Sequence, residues 1–322
     1  MLQVGIMSSW HVHAKDYVRE LQESGKVQPA ALWDENPEQG RARAAEWGAA
    51  FEADYDAFLN RKDFTAVICN APTTMHRELL VKAAKAGKDI FTEKLLAPDM
   101  ESAEAIAAEI RRAGVIFTIS LPLRSNPAIL YVKRLVEEGT LGRVTGGRFR
   151  RSHNGVSDHW LPEYWFDPAL TGGGAMMDLG AHPVYVLSLL FGPPKRITGM
   201  VTNPFGTNSD ENAIGIAEFR DGILGTMETG FVTFGVPDLL EVYGTEGSVF
   251  MRGSQIELTT KALCALGVSS GHPQNLPEAK PSPLMQFVEA CINRTGSPEG
   301  LGLEDALIMT KIIETIYQTD KN

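Results

Sequence analysis

Short apolar runs alternate with helical patterns from residue 1 to about residue 122. The first run, Leu2–Met7, is followed by apolar residues at helical spacing, and Gly25 is placed to end that helix. Further strands are predicted at Val27–Trp33, Thr65–Asn70, Asp89–Thr92 and Val115–Ser120, with helices near Pro37–Trp47, Thr73–Ala86 and Asp99–Ala113. Because strands alternate with helices, the pattern predicts a doubly wound, Rossmann-like parallel sheet in a domain over residues 1–122.

The pattern changes after Leu121-Pro122, where strands begin to follow one another with few helices between them. A helix is predicted at Pro127–Glu138, followed by a long strand at Val144–Ser152. Later strands are predicted at Arg196–Thr202, Ala213–Phe219, Ile223–Phe231, Leu239–Tyr243, Ser248–Met251 and Ile256–Thr260, then an irregular loop at 262–282 and helices at 283–294 and 303–318. Successive strands indicate a large, mostly antiparallel sheet, so residues 123–322 are predicted to form an α+β domain, to which the motifs and the family resemblance described below assign substrate binding and oligomerisation.

Composition narrows the classes of protein that fit this pattern. The 322 residues are 43% apolar and 22% charged, as in an ordinary globular protein of two domains. A net charge of −10 argues against a nucleic-acid partner, and no apolar run reaches the length of about 18 residues that a membrane span needs. Cys69, Cys264 and Cys291 lack the spacing of disulfide pairs or metal ligands, so a reducing cytoplasm is the expected location.

The loop after the first strand is the expected nucleotide site, because ligands of open parallel sheets lie off the carboxyl ends of the strands. The usual Gly-x-Gly-x-x-Gly pattern is absent, and Ser8, Trp10 and His13 occupy the matching positions. Hydroxyl groups of Ser8 and Ser9, together with His11, are the expected donors in place of bare backbone. The alternative is that this loop does not bind a dinucleotide.

Asp34 ends the second predicted strand, where an acidic residue accepts hydrogen bonds from an adenosine ribose. A carboxylate at that position repels a 2′-phosphate, and Glu35 follows it rather than an arginine. NAD is therefore favoured over NADP as the cofactor. The alternative is that Asp34 is only a turn residue.

A lysine, an aspartate and a histidine are the candidate catalytic residues. Lys94 closes the buried-looking strand Asp89–Thr92 at the ligand-facing edge of the sheet, while Asp178 and His182 follow the glycine triplet 172–174. Asp178 and His182 share one face if their segment is a regular helix, although Gly180 and Pro183 can interrupt it. The alternative is a capping aspartate and a structural histidine.

Two motifs resemble signatures of a known enzyme family over nearly the whole chain. Thr92-Glu93-Lys94 resembles the Glu-Lys-Pro motif of the Gfo/Idh/MocA oxidoreductases, and residues 172–182 resemble their Gly-Gly-Gly…Asp-x-Gly-x-His motif. The resemblance implies that Lys94 contacts both cofactor and substrate hydroxyl, that His182 is the general acid/base and that Asp178 orients or polarises the reacting group. Leu95 stands where the family commonly has proline, and Tyr185 where it often has aspartate.

The segment Asn70-Ala71-Pro72…His76 is similar to the family's Thr-Pro-x-x-x-His turn, which contacts the cofactor. His76 has the alternative of being an ordinary histidine on a helix face. The residues expected to hold the cofactor are Ser8, Ser9, Trp10, His11, Val12, Asp34, Asn70, Ala71, Pro72, His76, Glu93 and Lys94.

Aromatic and short polar side chains are dense between His153 and Phe166, a mixture that suits a sugar or polyol ring. The alternative is that these aromatics anchor a long loop. The residues expected to bind substrate are Lys94, Arg124, His153, Trp165, Asp178 and His182. No set of histidine, cysteine and carboxylate residues has convincing ligand spacing, so no metal is predicted.

The features together favour an NAD-dependent dehydrogenase that oxidises a secondary hydroxyl of a sugar, polyol or related cyclic substrate, or reduces the corresponding ketone. Two alternatives stay open: a nonenzymatic nucleotide-binding sensor, and an NAD-dependent lyase or glycosidase that oxidises its substrate transiently. The family resemblance also implies a homodimer or homotetramer, because a broad exposed sheet face rarely stays uncovered.

Overall fold

The computed structural model describes residues 1–321, which form two compact units. The first unit comprises Met1–Ser120 and Pro281–Thr310, and the second comprises Leu121–Lys280 and the residues from Lys311 onward.

The first unit contains a six-stranded, all-parallel sheet in the order β3-β2-β1-β4-β5-β6. Its strands are β1 (Leu2–Met7), β2 (Val27–Trp33), β3 (Ala50–Phe51), β4 (Ala66–Cys69), β5 (Asp89–Thr92) and β6 (Phe117–Ile119). The predicted Rossmann-like fold is confirmed, and β3 was missed because it is a two-residue strand held by two register pairs with β2.

Five helices connect these strands, and local signals explain most of their ends. They are α1 (Ala14–Glu23), α2 (Pro37–Trp47), α3 (Tyr55–Asn60), α4 (His76–Lys85) and α5 (Met100–Ala113). The side chain of Asn36 accepts hydrogen bonds from two backbone N–H groups at the start of α2, and that of Asp99 does the same for one at the start of α5. The short α3 was not predicted.

The second unit begins with α6 (Pro127–Glu137) and carries three helices around the glycine triplet. These are α7 (Pro168–Thr171), α8 (Ala175–Asp178) and α9 (Ala181–Phe191), while α10 (Lys261–Ala265) follows the last strand. The rest of the segment predicted as an irregular loop, from 266 to 282, contains no helix or named strand.

A seven-stranded sheet organises the second unit, in the order β13-β12-β11-β7-β10-β9-β8. Its strands are β7 (Val144–Ser152), β8 (Arg196–Thr202), β9 (Asn212–Glu218), β10 (Leu224–Gly230), β11 (Leu239–Gly244), β12 (Gly247–Arg252) and β13 (Gln255–Thr260). All neighbours are antiparallel except β7 and β10, which confirms the predicted mostly antiparallel sheet. α9 packs on β7 and β10, where Phe149 and Met227 are fully buried.

The segment 281–310 returns to the first unit, whereas the single division predicted at 122/123 assigns it to the second domain. Its helix α11 (Pro283–Asn293) buries Leu284, Phe287 and Val288 in the core of the first unit, and the Phe287 ring lies 5.9 Å from that of Phe91. An amphipathic pattern shows that a helix has a buried face but not which core covers it. The last helix, α12 (Leu303–Asp320), is divided between the units at Thr310.

No single helix in the described part of the chain is long and apolar enough to cross a membrane. One bent pair, Pro168–Asp178 with Ala181–Phe191, meets the length and composition criterion.

Candidate functional site

Side-chain hydrogen bonds hold the glycine-free loop after β1. Ser8 has a φ of 69°, a left-handed conformation that is uncommon outside glycine, and its Oγ accepts a hydrogen bond of 3.0 Å from Trp10 N. His11 N donates to the carbonyl of Asn70 at 3.1 Å, which ties the loop to the end of β4. The side chain of Val12 is exposed.

Asp34 lies at the end of β2, as predicted, but its carboxylate bonds to the neighbouring loop. Asp34 is only 2% exposed, and its Oδ2 accepts hydrogen bonds from Ser9 N at 2.9 Å and from Ser9 Oγ at 2.6 Å. Its Oδ1 accepts from Asn36 N at 2.9 Å. The predicted ribose acceptor therefore also braces the loop that carries Ser9.

Glu93, at the carboxyl end of β5, is the centre of a buried hydrogen-bond cluster. Its Oε1 lies 2.9 Å from His13 Nδ1 and accepts a hydrogen bond from the Tyr17 hydroxyl, whose oxygen is 2.7 Å from Ser120 Oγ. Burial opposes ionisation of this carboxyl, but His11 and His13 hold the pKa of Glu93 well below its usual value. The cluster therefore keeps a carboxylate at the ligand edge of the sheet.

Lys94 follows directly and is 6% exposed, which is unusual for a lysine. Its backbone N–H donates to Glu93 Oε2 at 3.1 Å, and the peptide bond between Lys94 and Leu95 is cis. The structure thus places the predicted catalytic lysine at the buried end of β5.

His11, His13 and Glu93 have potential metal-binding atoms that all lie within 4.8 Å of one another, although no metal was predicted. Hydrogen bonds account for this arrangement, since His13 Nδ1 pairs with Glu93 and His11 Nδ1 accepts from His13 N at 3.2 Å.

His76 is fully buried at the start of α4. Its ring nitrogens lie 3.1 Å from the carbonyl oxygens of Leu96 and Ala71, and burial lowers its pKa. A neutral imidazole has one N–H, so His76 donates to one of these two carbonyl oxygens, and its ring lies between the Asn70–Pro72 turn and the segment after Lys94.

In the second unit, the segment from Asp178 to His182 is not one regular helix. α8 ends at Asp178 and α9 begins at Ala181, with a bend of 49° between the helical segments on either side. The condition on which Asp178 and His182 were expected to share one helix face, a regular helix, is not met, because the helix is interrupted at Leu179-Gly180. Pro183 lies in the first turn of α9, where proline is tolerated.

Asp210 accepts hydrogen bonds from the end of the glycine triplet and from the start of α8. The sequence patterns did not single out this residue. The Asp210 carboxylate accepts from Gly174 N at 2.7 Å, from Met176 N at 2.8 Å and from the Tyr317 hydroxyl at 2.7 Å. A Cβ on Gly174 would lie 2.0 Å from the Asp210 carbonyl oxygen, so only glycine fits there. This clamp caps the segment that carries Asp178.

His182, 6% exposed, is oriented by Tyr185, which is 1% exposed. The Tyr185 hydroxyl lies 2.8 Å from His182 Nδ1 and accepts a hydrogen bond of 3.1 Å from Leu123 N. Burial raises the pKa of Tyr185, so the phenol keeps its proton. The phenol oxygen can accept a second hydrogen bond while its own proton is donated, so either Tyr185 or the Nδ1–H of His182 donates in the bond between them.

Contacts in the second unit join some of the other residues that were predicted to bind substrate. The Trp165 indole N–H donates to Asp178 Oδ2 at 3.1 Å, and burial lowers the pKa of His153 while Asp178 raises it. The His153 ring stacks on Phe231 at 5.0 Å, and the charge of Arg124 acts on Tyr185. Trp165 is buried, so it orients Asp178 rather than presenting an open ring.

Three polar residues of these clusters were missed by sequence reasoning: Tyr17, Asp210 and Tyr317. Tyr17 was interpreted as an apolar helix position, and its hydroxyl gave no signal. Asp210 is 36 residues from Gly174 in the chain, so no local spacing connects them.

Both units match known protein families. Residues 4–121 match an oxidoreductase family with an NAD-binding Rossmann fold, and residues 129–250 match the GFO/IDH/MocA C-terminal domain.

Among relatives, levoglucosan dehydrogenase of Pseudarthrobacter phenanthrenivorans is 25% identical over 250 residues, which cover 66% of this chain and 62% of that protein. The scyllo-inositol 2-dehydrogenase (NAD(+)) of Bacillus subtilis is 26% identical over 277 residues, covering 82% of this chain and 78% of that protein. In fold, the chain is similar to levoglucosan dehydrogenase in complex with NADH and L-sorbose, with a TM-score of 0.88 at 19% identity over 100% of this chain and 97% of that one.

The first match contains the Thr92-Glu93-Lys94 motif and the second contains the motif at residues 172–182. Together the two matches extend over most of the chain. On these grounds the protein belongs to the Gfo/Idh/MocA family of NAD-binding oxidoreductases.

Proposed function

We propose that the protein transfers a hydride between NAD and a secondary hydroxyl, or the corresponding ketone, of a sugar, polyol or related cyclic substrate. The observation that carries this proposal is the burial of Lys94 at the carboxyl end of β5, beside the carboxylate of Glu93, in an NAD-binding domain. Burying an ammonium group destabilises the fold, so its presence at the ligand edge of the sheet favours a role in binding or catalysis.

The cofactor fits the residues present. Glu35 Oε2 and Asn70 Oδ1 are buried oxygens that make no hydrogen bond in the described part of the chain, and both follow strands at the expected nucleotide edge. Donor groups of a nucleotide would satisfy them. The proposed cofactor residues remain Ser8, Ser9, Trp10, His11, Val12, Asp34, Asn70, Ala71, Pro72, His76, Glu93 and Lys94, with His76 acting through backbone.

The chain's own groups divide the chemistry. Lys94 binds the substrate oxygen and stabilises its negative charge, and His182 takes the hydroxyl proton on oxidation or returns it on reduction. Asp178, oriented by Trp165, polarises the reacting group, while Arg124 and His153 bind the remaining substrate hydroxyls. Bound NAD supplies the acceptor or donor of the hydride.

A substrate panel read by nicotinamide absorbance tests the proposal. Sugars, inositols and anhydrosugars, including levoglucosan and scyllo-inositol because relatives carry those names, would be assayed with NAD and NADP in parallel. Accumulating NADH supports a dehydrogenase. Turnover of substrate without net NADH would favour transient oxidation by a lyase or glycosidase, and nucleotide binding without turnover would favour a sensor.

Site variants test the residue roles. His182→Ala is expected to lower kcat by about 10²–10⁴ with little change in NAD affinity, the usual range for a general acid/base. Lys94→Ala should reduce both turnover and substrate affinity, and Asp178→Asn should reduce turnover less if it only orients the reacting group. Near-normal single-turnover rates in both the His182 and Lys94 variants would contradict the mechanism.

The proposal extends to a homodimer or homotetramer in a reducing, cytoplasmic compartment. Support for the oligomer comes from apolar side chains on the outer face of the second sheet, which are exposed by 36–61%: Met200, Ile214, Ile216, Leu224 and Phe250. The unpaired thiol of exposed Cys264 supports the reducing compartment.

A further inference from the structure

The outer face of the second sheet contains a cavity of about 300 Å³. The strand register explains its position, since directly paired residues lie in rows across the sheet. One row consists of Arg150, Glu228, Ile214 and Met200, and the next consists of Ser152, Gly230, Asn212 and Thr202. Gly230 has no side chain and therefore leaves a gap between Ser152 and Asn212, which both line the cavity. A Cβ on Gly230 would lie 2.4 Å from the Asn212 amide oxygen, so glycine also makes room for that amide.

Arg150 is the positively charged residue of the cavity, and it has no carboxylate partner. Glu228 is its neighbour in the register of β7 and β10. However, both oxygens of Glu228 face Arg148 instead, because Arg148 Nε lies 2.6 Å from Oε1 and Nη2 donates to Oε2 at 2.9 Å. Within residues 1–321, Arg150 forms no ion pair, and its buried Nε makes no hydrogen bond. A half-buried arginine left unpaired is unexpected in a chain with a net charge of −10.

The rest of the cavity combines hydrogen-bonding groups with an apolar wall. Ser152, Asn212 and Thr202 bring two hydroxyls and an amide, and no side-chain hydrogen bond among the described residues uses these groups. Met200 and Ile214, which are 61% and 38% exposed, form the apolar side. One positive charge, several free donors and an apolar surface are suited to an organic molecule that carries an anionic group.

The cavity is separate from the candidate catalytic residues. Phe149 is fully buried on the side of the sheet that α9 covers, and Arg150 follows it directly in β7. Because successive residues of a strand point to opposite faces, Arg150 lies on the face away from α9, the helix that carries His182. A ligand in this cavity therefore does not occupy the place of a substrate at His182.

We propose that this cavity binds a small organic anion, a carboxylate or a phosphate monoester, whose charged oxygens contact Arg150. The guanidinium group presents parallel N–H donors that match two oxygens of either anion. The Asn212 amide and the hydroxyls of Ser152 and Thr202 bind the remaining polar atoms, and the carbon atoms of the ligand lie against the apolar wall. This site goes beyond the proposed hydride transfer and needs neither NAD nor turnover.

The same sheet face carries the apolar residues that support the proposed oligomer. An acidic side chain of a second copy is therefore the other source of a carboxylate for Arg150. A free anion and a second copy differ in one measurable respect, since only the second makes Arg150 necessary for the mass of the assembly.

The first experiment titrates the full-length protein, without nucleotide, with glycerol 3-phosphate and with succinate, and uses glycerol as the uncharged control. Calorimetry measures binding, thermal unfolding measures stabilisation, and light scattering measures the mass. At least one of the two anions is expected to bind and to raise the unfolding temperature, because a ligand of the folded state stabilises it. Glycerol is expected to do neither.

Three variants assign the binding to the cavity. Arg150→Gln should weaken anion binding by about 10–100-fold, the range for a hydrogen bond to a charged group, without changing the mass. Asn212→Asp, which is nearly isosteric, adds a carboxylate to the cavity and should weaken binding by at least as much. Arg196→Gln is the matched control, because it removes a positive charge from the same sheet face but from an arginine that is paired with Glu218. Its affinity for the anion should equal that of the wild type.

Anion binding of equal strength in wild type and Arg150→Gln would place the ligand elsewhere in the protein and overturn the proposal. Failure of both anions to bind the wild type would do the same. If neither anion binds and Arg150→Gln also lowers the mass, the partner of Arg150 is a carboxylate of a second copy instead. No substrate or nucleotide is present in these titrations, so failure of the proposed dehydrogenase reaction would leave their outcome unaffected.

Discussion

The most direct test of the catalytic geometry is Tyr185→Phe, which deletes one oxygen atom and leaves the ring in place. That oxygen joins His182 Nδ1 at 2.8 Å to Leu123 N at 3.1 Å. Two hydrogen bonds are lost, which corresponds to a destabilisation of about 1–3 kcal/mol. The aromatic packing is preserved, so the variant is expected to fold.

The kinetic effect follows from the tautomer of His182. In the intact protein the hydrogen bond between the Tyr185 hydroxyl and Nδ1 fixes the orientation of the imidazole and favours one tautomer, and we expect Nε2 to exchange the proton with the substrate. Phenylalanine removes this selection, and the imidazole loses both its orientation and its preferred tautomer. We expect kcat for ketone reduction to fall by about 10–10²-fold, a part of the full contribution of an acid/base group, with KM nearly unchanged.

A double-mutant cycle with His182→Ala separates this role from a general loss of structure. If Tyr185 acts through the histidine, Tyr185→Phe has no further effect on kcat once His182 is absent, although it still lowers the unfolding temperature. Nitrogen-15 spectra of labelled histidine report the tautomer independently. An equal kcat loss in both backgrounds, or an unchanged tautomer in the variant, would refute the reasoning.

Three further predictions concern stability and assembly. Gly174→Ala should destabilise the second unit by about 3 kcal/mol or more, because its Cβ would meet the Asp210 carbonyl. In the control Gly302→Ala the new Cβ meets only Ser297 Cβ at an ordinary distance of 4.0 Å, and denaturant unfolding compares the two variants. Because the pKa of Glu93 is depressed in the folded protein, its carboxylate stabilises the fold fully above pH 4.5, and this stabilisation is lost as the pH falls through the folded-state pKa. The difference in unfolding free energy between wild type and Glu93→Gln should therefore shrink on acidification. A difference that is constant with pH would contradict this. Leu224→Glu should dissociate the proposed oligomer in light scattering, and a wild-type mass of 35.1 kDa at all concentrations would rule that oligomer out.

The pattern of the chain by itself was sufficient to predict a parallel sheet with crossover helices followed by a mostly antiparallel sheet. β1, β2 and β7 have the predicted bounds, because continuous apolar runs mark buried parallel strands and alternation marks strands with one exposed face. The positions of Lys94 at a strand end and of Asp178 and His182 after a glycine triplet were also legible, since each depends on residues close in sequence. The two-residue β3 was not, because it has too few residues to form a pattern.

The tertiary structure decided which polar groups meet. Asp34 was predicted to accept hydrogen bonds from ribose, and only the structure shows that its oxygens also accept from Ser9 and Asn36. Residues 281–310 contain the amphipathic helix α11 and the start of α12, and only packing shows that they belong to the first unit. The phenol of Tyr185 orients His182 through a hydrogen bond, and the same oxygen accepts from the backbone N–H of Leu123, which is far away in the chain. Hydrophobic periodicity encodes which face of a helix or strand is buried. Three-dimensional packing, in contrast, selects hydrogen-bond partners that are far apart in the chain. The chemistry of each cluster could therefore be assigned only in the folded protein.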